Sequence, residues 1–167
     1  MVREKEIWKI LEEVKDPEVP VLSIIDLGIV RGVTFSSSGK AGQEEAIITI
    51  TPTYSGCPAM DVISMDIRLK LIEKGYRNVT IQQQLSPAWT TDWMTEEGKQ
   101  KLKAYGIAPP NPKQQFCKEE MFQQEIVQCP HCNSYHTELI SQFGSTACKA
   151  MYHCRDCQEA FDYFKCH

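Results

Sequence analysis

Ile7, Ile10, Leu11 and Val14 recur at the i, i+3, i+4, i+7 spacing of one helical face, which predicts an amphipathic helix ending before Asp16-Pro17. After the DPEVP turn come two β-rich runs, residues 21–25 and 28–35, with Asp26 between them. The small, polar, glycine-containing tract 36–42 reads as a hairpin-type loop, and AIITIT over 46–51 as a third strand. A TPTYSG loop then leads into Cys57-Pro58 and a helical run through Lys74, which Gly75 closes. Residues 78–85 alternate apolar Val79, Ile81 and Leu85 with polar Gln82 and Gln84, the pattern of a half-buried strand. Past the irregular SPAWTTDWM, Thr95 is placed to cap a short helix that Gly106 ends. This order predicts an α+β domain with a small mixed sheet and packed helices.

The pattern breaks at IAPPNPKQQ, where three prolines and several polar residues over 107–115 mark a boundary. The expected organisation is a mixed helix–sheet domain over 1–110, a linker over 111–125, and a small cysteine-rich domain over 126–167. Six of the eight cysteines fall in that last segment.

Charge and composition narrow the function classes. A hydrophobic share of 42% is normal for a globular chain and too high for a disordered one. No apolar run approaches the ~20 residues that cross a bilayer, and the charged start MVREKEIWK is no signal peptide, so a cytoplasmic protein without a membrane partner is expected. Formal charge is −4, from 18 basic and 22 acidic residues without long blocks. Nothing in it offers the basic face that phosphate neutralisation demands, so no nucleic-acid partner is expected. In a reducing compartment, paired thiols are metal ligands or reactive groups before they are disulfides.

Cys129-x2-Cys132 and Cys154-x2-Cys157 form two CxxC knuckles separated by 21 residues. Two residues between thiolates let a tight turn aim both sulfurs at one ion, and two such turns complete a tetrahedron. The separation slightly exceeds the ~15–20 residues usual for such sites, which a longer hairpin absorbs. The β-prone stretches 137–143 and 160–164 suit a zinc-ribbon arrangement. A segment this short cannot bury enough apolar surface to fold unaided, so the ion supplies the missing stability. A structural Zn²⁺ is favoured, although iron also accepts four thiolates. His131 and His153 stand beside ligand cysteines, and Cys148, Cys166 and His167 are left over.

Cys57 is a second candidate. With Pro58 at the first helical position, Cys57 falls at the N-cap, where free N–H groups and the helix dipole favour a reachable thiolate of lowered pKa. The bland alternative is a buried, inert cysteine. Asp16, Glu18 and Asp26 read locally as helix-ending and turn residues, and Trp89 and Trp93 as core anchors. No histidine precedes His131, so Cys57 has no histidine base within its own domain. The chain also lacks an ExxH diiron pair and a dinucleotide fingerprint, so it is not expected to be an enzyme on its own.

The blocks DPEVPVLSIIDLGIV, TPTYSGCPAM and VTIQQQLSPAWTTDWMTEEGKQKLKAYGIAPP resemble the metal–sulfur cluster assembly factor family. With the CPHC and CRDC tail added, the resemblance narrows to the accessory components, lettered D or J, of bacterial phenylacetyl-CoA oxygenase (ring 1,2-epoxidase) systems. It implies a small cluster-assembly-factor fold followed by a zinc ribbon, and a role in assembling or delivering an iron–sulfur cluster that binds transiently. The implied partners are the oxygenase components, especially the iron–sulfur reductase, and the iron–sulfur assembly machinery. The family's reactive cysteine corresponds to Cys57, and its acidic DPE and DLG positions to Asp16, Glu18 and Asp26. The competing expectation is a structural or regulatory member of the oxygenase complex.

Overall fold

The computed structural model describes residues 2–37, 44–111 and 126–165, apart from the side chain of Val2. The expected linker beyond Asn111, most of the expected hairpin loop, and Cys166 and His167 lie outside the described residues. The chain has mixed α+β architecture and divides into two compact units, Met1–Trp89 and Thr90–His167.

In the first unit, helix α1 (Val2–Glu12) is followed by strands β1 (Val30–Ser36) and β2 (Glu45–Ile50), helix α2 (Ala59–Glu73) and strand β3 (Val79–Gln83). The sheet order is β1-β2-β3, with β1 antiparallel and β3 parallel to the central β2. The α1 stripe predicted by periodicity is the buried one: Ile7 and Leu11 are fully enclosed, and Ile10 and Val14 nearly so. With Ile48 and Ile50 of β2 and Ile63, Ile67 and Leu71 of α2 they belong to the fully or almost fully buried side chains of this unit.

Residues 21–25 do not form the expected strand. Among the described residues its β-pairing is limited to an isolated bridge, Lys15 to Ser23. The reason is local competition. The Ser23 N–H donates to the Asp26 carboxylate at 2.9 Å while the Asp26 N–H donates to the Ser23 hydroxyl at 3.0 Å, closing the backbone into turns. Leu22 and Ile24 are fully buried all the same, so the apolar run marks a core segment without fixing its backbone.

The second unit opens with a short 3-10 turn and helix α3 (Glu96–Tyr105), capped by the Thr95 hydroxyl, which accepts from the Gly98 N–H at 2.9 Å. Strand β4 (Ile107–Ala108) follows, then β5 (Thr137–Ser141), β6 (Lys149–Cys154) and β7 (Ala160–Phe164) in the order β4-β7-β6-β5. Parallel pairing of β4 with β7 sets α3 and the Ile107-Ala108 segment within this unit, so the compact division falls at Trp89/Thr90 rather than at the prolines. The ribbon core is Val127, Cys129, Ala150, Tyr152, Cys154, Phe161 and Tyr163, joined by Ala108. Tyr152 is its centre, stacked on Phe161 at 6.0 Å and edge-on to Tyr163 at 5.6 Å.

Gly106 ends α3 at φ 90°, and a Cβ built there would lie 3.2 Å from the His131 ring in the first knuckle. Gly75, at φ 95°, has open space at the same point. Gly75→Ala should therefore cost only the left-handed strain of about 1–2 kcal/mol. Gly106→Ala should cost more, because the His131 ring must also move. Urea unfolding monitored by hydrogen exchange in each unit checks the ranking.

Candidate functional site

The two knuckles are built alike. In the first, the Cys129 N–H donates to the Ser134 carbonyl at 2.8 Å and the Asn133 N–H returns to the Cys129 carbonyl at 3.0 Å. In the second, the Cys154 N–H donates to Glu159 at 2.9 Å and the Gln158 N–H returns to Cys154 at 3.0 Å. Asn133 and Gln158 both stand at φ 63°, the left-handed step that folds each loop back on itself. Strand register then brings the loops together, since β5 pairs antiparallel with β6 with Thr137 opposite Cys154.

The four ligand atoms of Cys129, Cys132, Cys154 and Cys157 lie within 4.8 Å of one another, with Cys129 to Cys157 at 3.7 Å and Cys132 to Cys154 at 3.5 Å. Metal–sulfur bonds of about 2.3 Å at tetrahedral angles place sulfurs about 3.8 Å apart. The thiols therefore fit one zinc-sized ion with little adjustment. Cys129 and Cys154 are fully enclosed, while Cys132 faces solvent.

Backbone N–H groups are aimed at the sulfurs. That of Cys157, helped by that of Asp156, holds the Cys154 thiol down to about 7. The Glu159 N–H likewise favours a Cys157 thiolate, but burial and the neighbouring thiols outweigh it and push Cys157 up to about 12. Four sulfurs this close cannot all ionise unless a cation replaces their protons.

Neither flanking histidine joins the set. The His131 ring lies against the Gly106 position, and His153 Nδ1 is 3.4 Å from the Glu138 carboxylate, which also holds Arg155. Cys148 is buried, with its sulfur 3.0 Å from the Thr146 hydroxyl.

Cys57 sits in the first unit, at the end of the loop that leaves β2. Its N–H donates to the Tyr54 carbonyl at 3.3 Å across a turn with Gly56 at φ 79°, a value glycine adopts without strain. Pro58 is the cap of α2, one residue later than the sequence implies. Asp16 closes the facing turn, its carboxylate accepting from the N–H groups of Glu18 and Val19, both at 2.8 Å. Asp26, 5% exposed, is engaged with Ser23, and the Trp89 indole N–H donates to the Leu27 carbonyl at 2.8 Å behind it.

The expectation of a lowered, reachable Cys57 thiolate is not met. The thiol is only 9% exposed, and burial pushes its pKa up. The Ala59 N–H and the Tyr54 side chain do donate to the sulfur as a helix start should allow, but desolvation outweighs them, and the Glu18 and Asp16 carboxylates push further upward. Cys57, Asp16 and Glu18 are thus brought into electrostatic contact, whereas the prominent bonds of Asp26 go to Ser23. Tyr54 was missed in the sequence. Its only signal was its place three residues before Cys57 with a glycine between, which allows the turn.

The comparisons with known proteins fall on the same two units. Residues 4–82 match the model of the iron–sulfur cluster assembly protein family, and residues 113–165 that of the PaaD zinc beta ribbon domain. A protein of Escherichia coli strain K12, provisionally named as the D component of 1,2-phenylacetyl-CoA epoxidase, is 49% identical over 96% of this chain and 92% of its own length. An Fe-S protein maturation auxiliary factor of Porphyromonas gingivalis is 36% identical over 59% of this chain and 90% of its own. A crystal structure of a domain of unknown function (DUF59) from Bacillus anthracis shares the fold at TM-score 0.53 and 28% identity, over 60% of this chain and 92% of that one.

The geometry of both thiol sites can be tested. Strong chelation, or Cys129→Ser, should abolish hydrogen-exchange protection in β5–β7 and leave that of β1–β3 in place; an ordered ribbon in metal-free protein would count against it. Alkylation of Cys57, resolved by peptide mass spectrometry, should accelerate only above the ordinary thiol value of 9.0. A thiol pKa raised by folding adds stability below its unfolded value and loses it as pH rises through the folded one, so Cys57→Ala should flatten the alkaline loss of stability. By its two matched domains and its near full-length relative, the chain belongs to the iron–sulfur cluster assembly protein family, in the branch that ends in a PaaD-type zinc ribbon.

Proposed function

We propose that this chain is an accessory maturation factor of a bacterial phenylacetyl-CoA oxygenase system, without turnover of its own, which helps assemble the iron–sulfur cluster of the reductase component. The observation that carries the reading is the union, along nearly the full length of the Escherichia coli relative, of an assembly-type unit bearing Cys57 with a four-thiol ribbon. In this reading the ribbon holds a structural Zn²⁺ and gives the second unit its fold.

Iron, or a cluster bound transiently, is the cargo, and Cys57 is its thiol ligand. A buried neutral thiol resists oxidation and stray alkylation. It becomes a ligand when a cation displaces its proton. The carboxylates of Asp16 and Glu18, which disfavour the bare thiolate, favour an incoming cation at the same place. Asp26, through its reciprocal bonds with Ser23, keeps the neighbouring segment in its turn. The partners are the oxygenase reductase and the general iron–sulfur assembly machinery, and the site of action is the cytoplasm.

Co-expression tests the reading. With Cys57→Ala, the reductase should carry fewer clusters per chain, measured by visible absorbance with iron and sulfide analysis, while the accessory chain keeps its fold and ribbon metal. Full cluster occupancy in the client would remove Cys57 from maturation.

A further inference from the structure

A concave site lies in the first unit, at the end of the sheet remote from Cys57. It is a cleft of about 770 Å³ between α1 and the connection from α2 to β3. It reaches Ala46 near the start of β2, whereas the Cys57 loop leaves the other end of that strand, about 17 Å of extended chain away. The volume is that of a site for a cofactor-sized molecule.

The lining divides into an apolar floor and a charged rim. Ile10 and Ala46 are almost completely buried at the base, with the rings of Phe35 and Tyr76 alongside. On the rim, Glu13 and Glu44 are paired with cations, while Glu6 keeps its charge beside a neutral hydroxyl. Glu6 accepts from the Tyr76 hydroxyl at 3.0 Å, Glu13 is 3.3 Å from the Lys70 ammonium, and Glu44 is paired with Arg3. Lys9, Lys74 and Arg77 also line the cleft, and none of their side chains makes a hydrogen bond or ion pair with another described residue. Three cations and one unpaired carboxylate thus surround an apolar, aromatic base, leaving a positive excess in a unit whose formal charge is otherwise balanced toward acid.

We infer that this cleft binds a nucleoside diphosphate or a closely similar organic phosphate, its planar base on the Phe35 and Tyr76 side and its phosphates among Lys9, Lys74 and Arg77. A guanidinium offers a phosphate a bidentate pair of donors, and two ammonium groups supply the remaining charge. A monocarboxylate ligand would leave part of that excess unmatched, and an uncharged one would leave all of it.

Calorimetric titration of the full-length protein with ADP tests the inference, with adenosine and inorganic pyrophosphate as separate arms. Saturable one-to-one binding of ADP is expected, tighter than either fragment and weakening as salt is raised. Lys74→Glu with Arg77→Glu should weaken it by about tenfold or more. The milder Lys74→Ala with Arg77→Ala should act in the same direction in a chain whose circular dichroism is unchanged. Cys57→Ala should leave the affinity as it is, which separates this site from the maturation reading. Absence of saturable binding at millimolar ADP overturns the inference. So does equal affinity for pyrophosphate, or unchanged affinity in both paired variants.

Discussion

A thiolate persists inside a protein only where something neutralises it, and this chain meets that constraint twice in opposite ways. In the ribbon, four sulfurs are held within 4.8 Å of one another by two knuckles of the same design. Such a set is unstable as four anions, so it suits a cation that takes the place of the thiol protons. In the first unit a single thiol is buried beside two carboxylates, and the same electrostatics keep it protonated. One site is suited to a metal ion, while burial and then two carboxylates hold the thiol of the other neutral.

The ribbon shows how far the rest of the second unit depends on this. Its buried cluster has only Tyr152, Tyr163 and Phe161 as large members, and two of its other residues are the ligands Cys129 and Cys154. The ligand cysteines are thus part of the apolar cluster as well as of the thiol site. Beyond it, Glu138 with Arg155 and Asp156 with His136 are exposed pairs, which in general contribute ~1 kcal/mol or less. They trim the surface and do not replace the metal.

Elements whose signal is local were legible in the sequence. The stripe Ile7–Val14, the alternation around Ile81 and the Thr95 and Gly106 caps each depend on residues a few positions apart. The two CxxC pairs were legible for the same reason, because half of each ligand set is local. What failed was set partly by local competition and partly by tertiary context. Ser23 and Asp26 turn an apolar run away from strand geometry through side-chain bonds that composition alone does not rank against a ladder. Strand β6 lies between two others in the sheet, and β4 is two residues long and pairs with a strand more than fifty residues away. The Cys57 pKa failed similarly. The helix start was visible, but the burial that reverses its effect was not.

That reversal bears on what kind of chemistry Cys57 serves. A cysteine nucleophile needs a standing thiolate or an adjacent base, and the groups acting on Cys57 are two donors and two carboxylates, with no imidazole among them. The carboxylates could take its proton only against their own acidity, since a carboxylate is a far weaker base than a thiolate. A metal ion changes the balance without any base, because binding to sulfur lowers the thiol pKa directly, and the same carboxylates then stabilise the charge that arrives. The arrangement is poor for attack on an electrophile and suited to holding a cation, which is why cluster handling is the reading preferred for this thiol over catalysis.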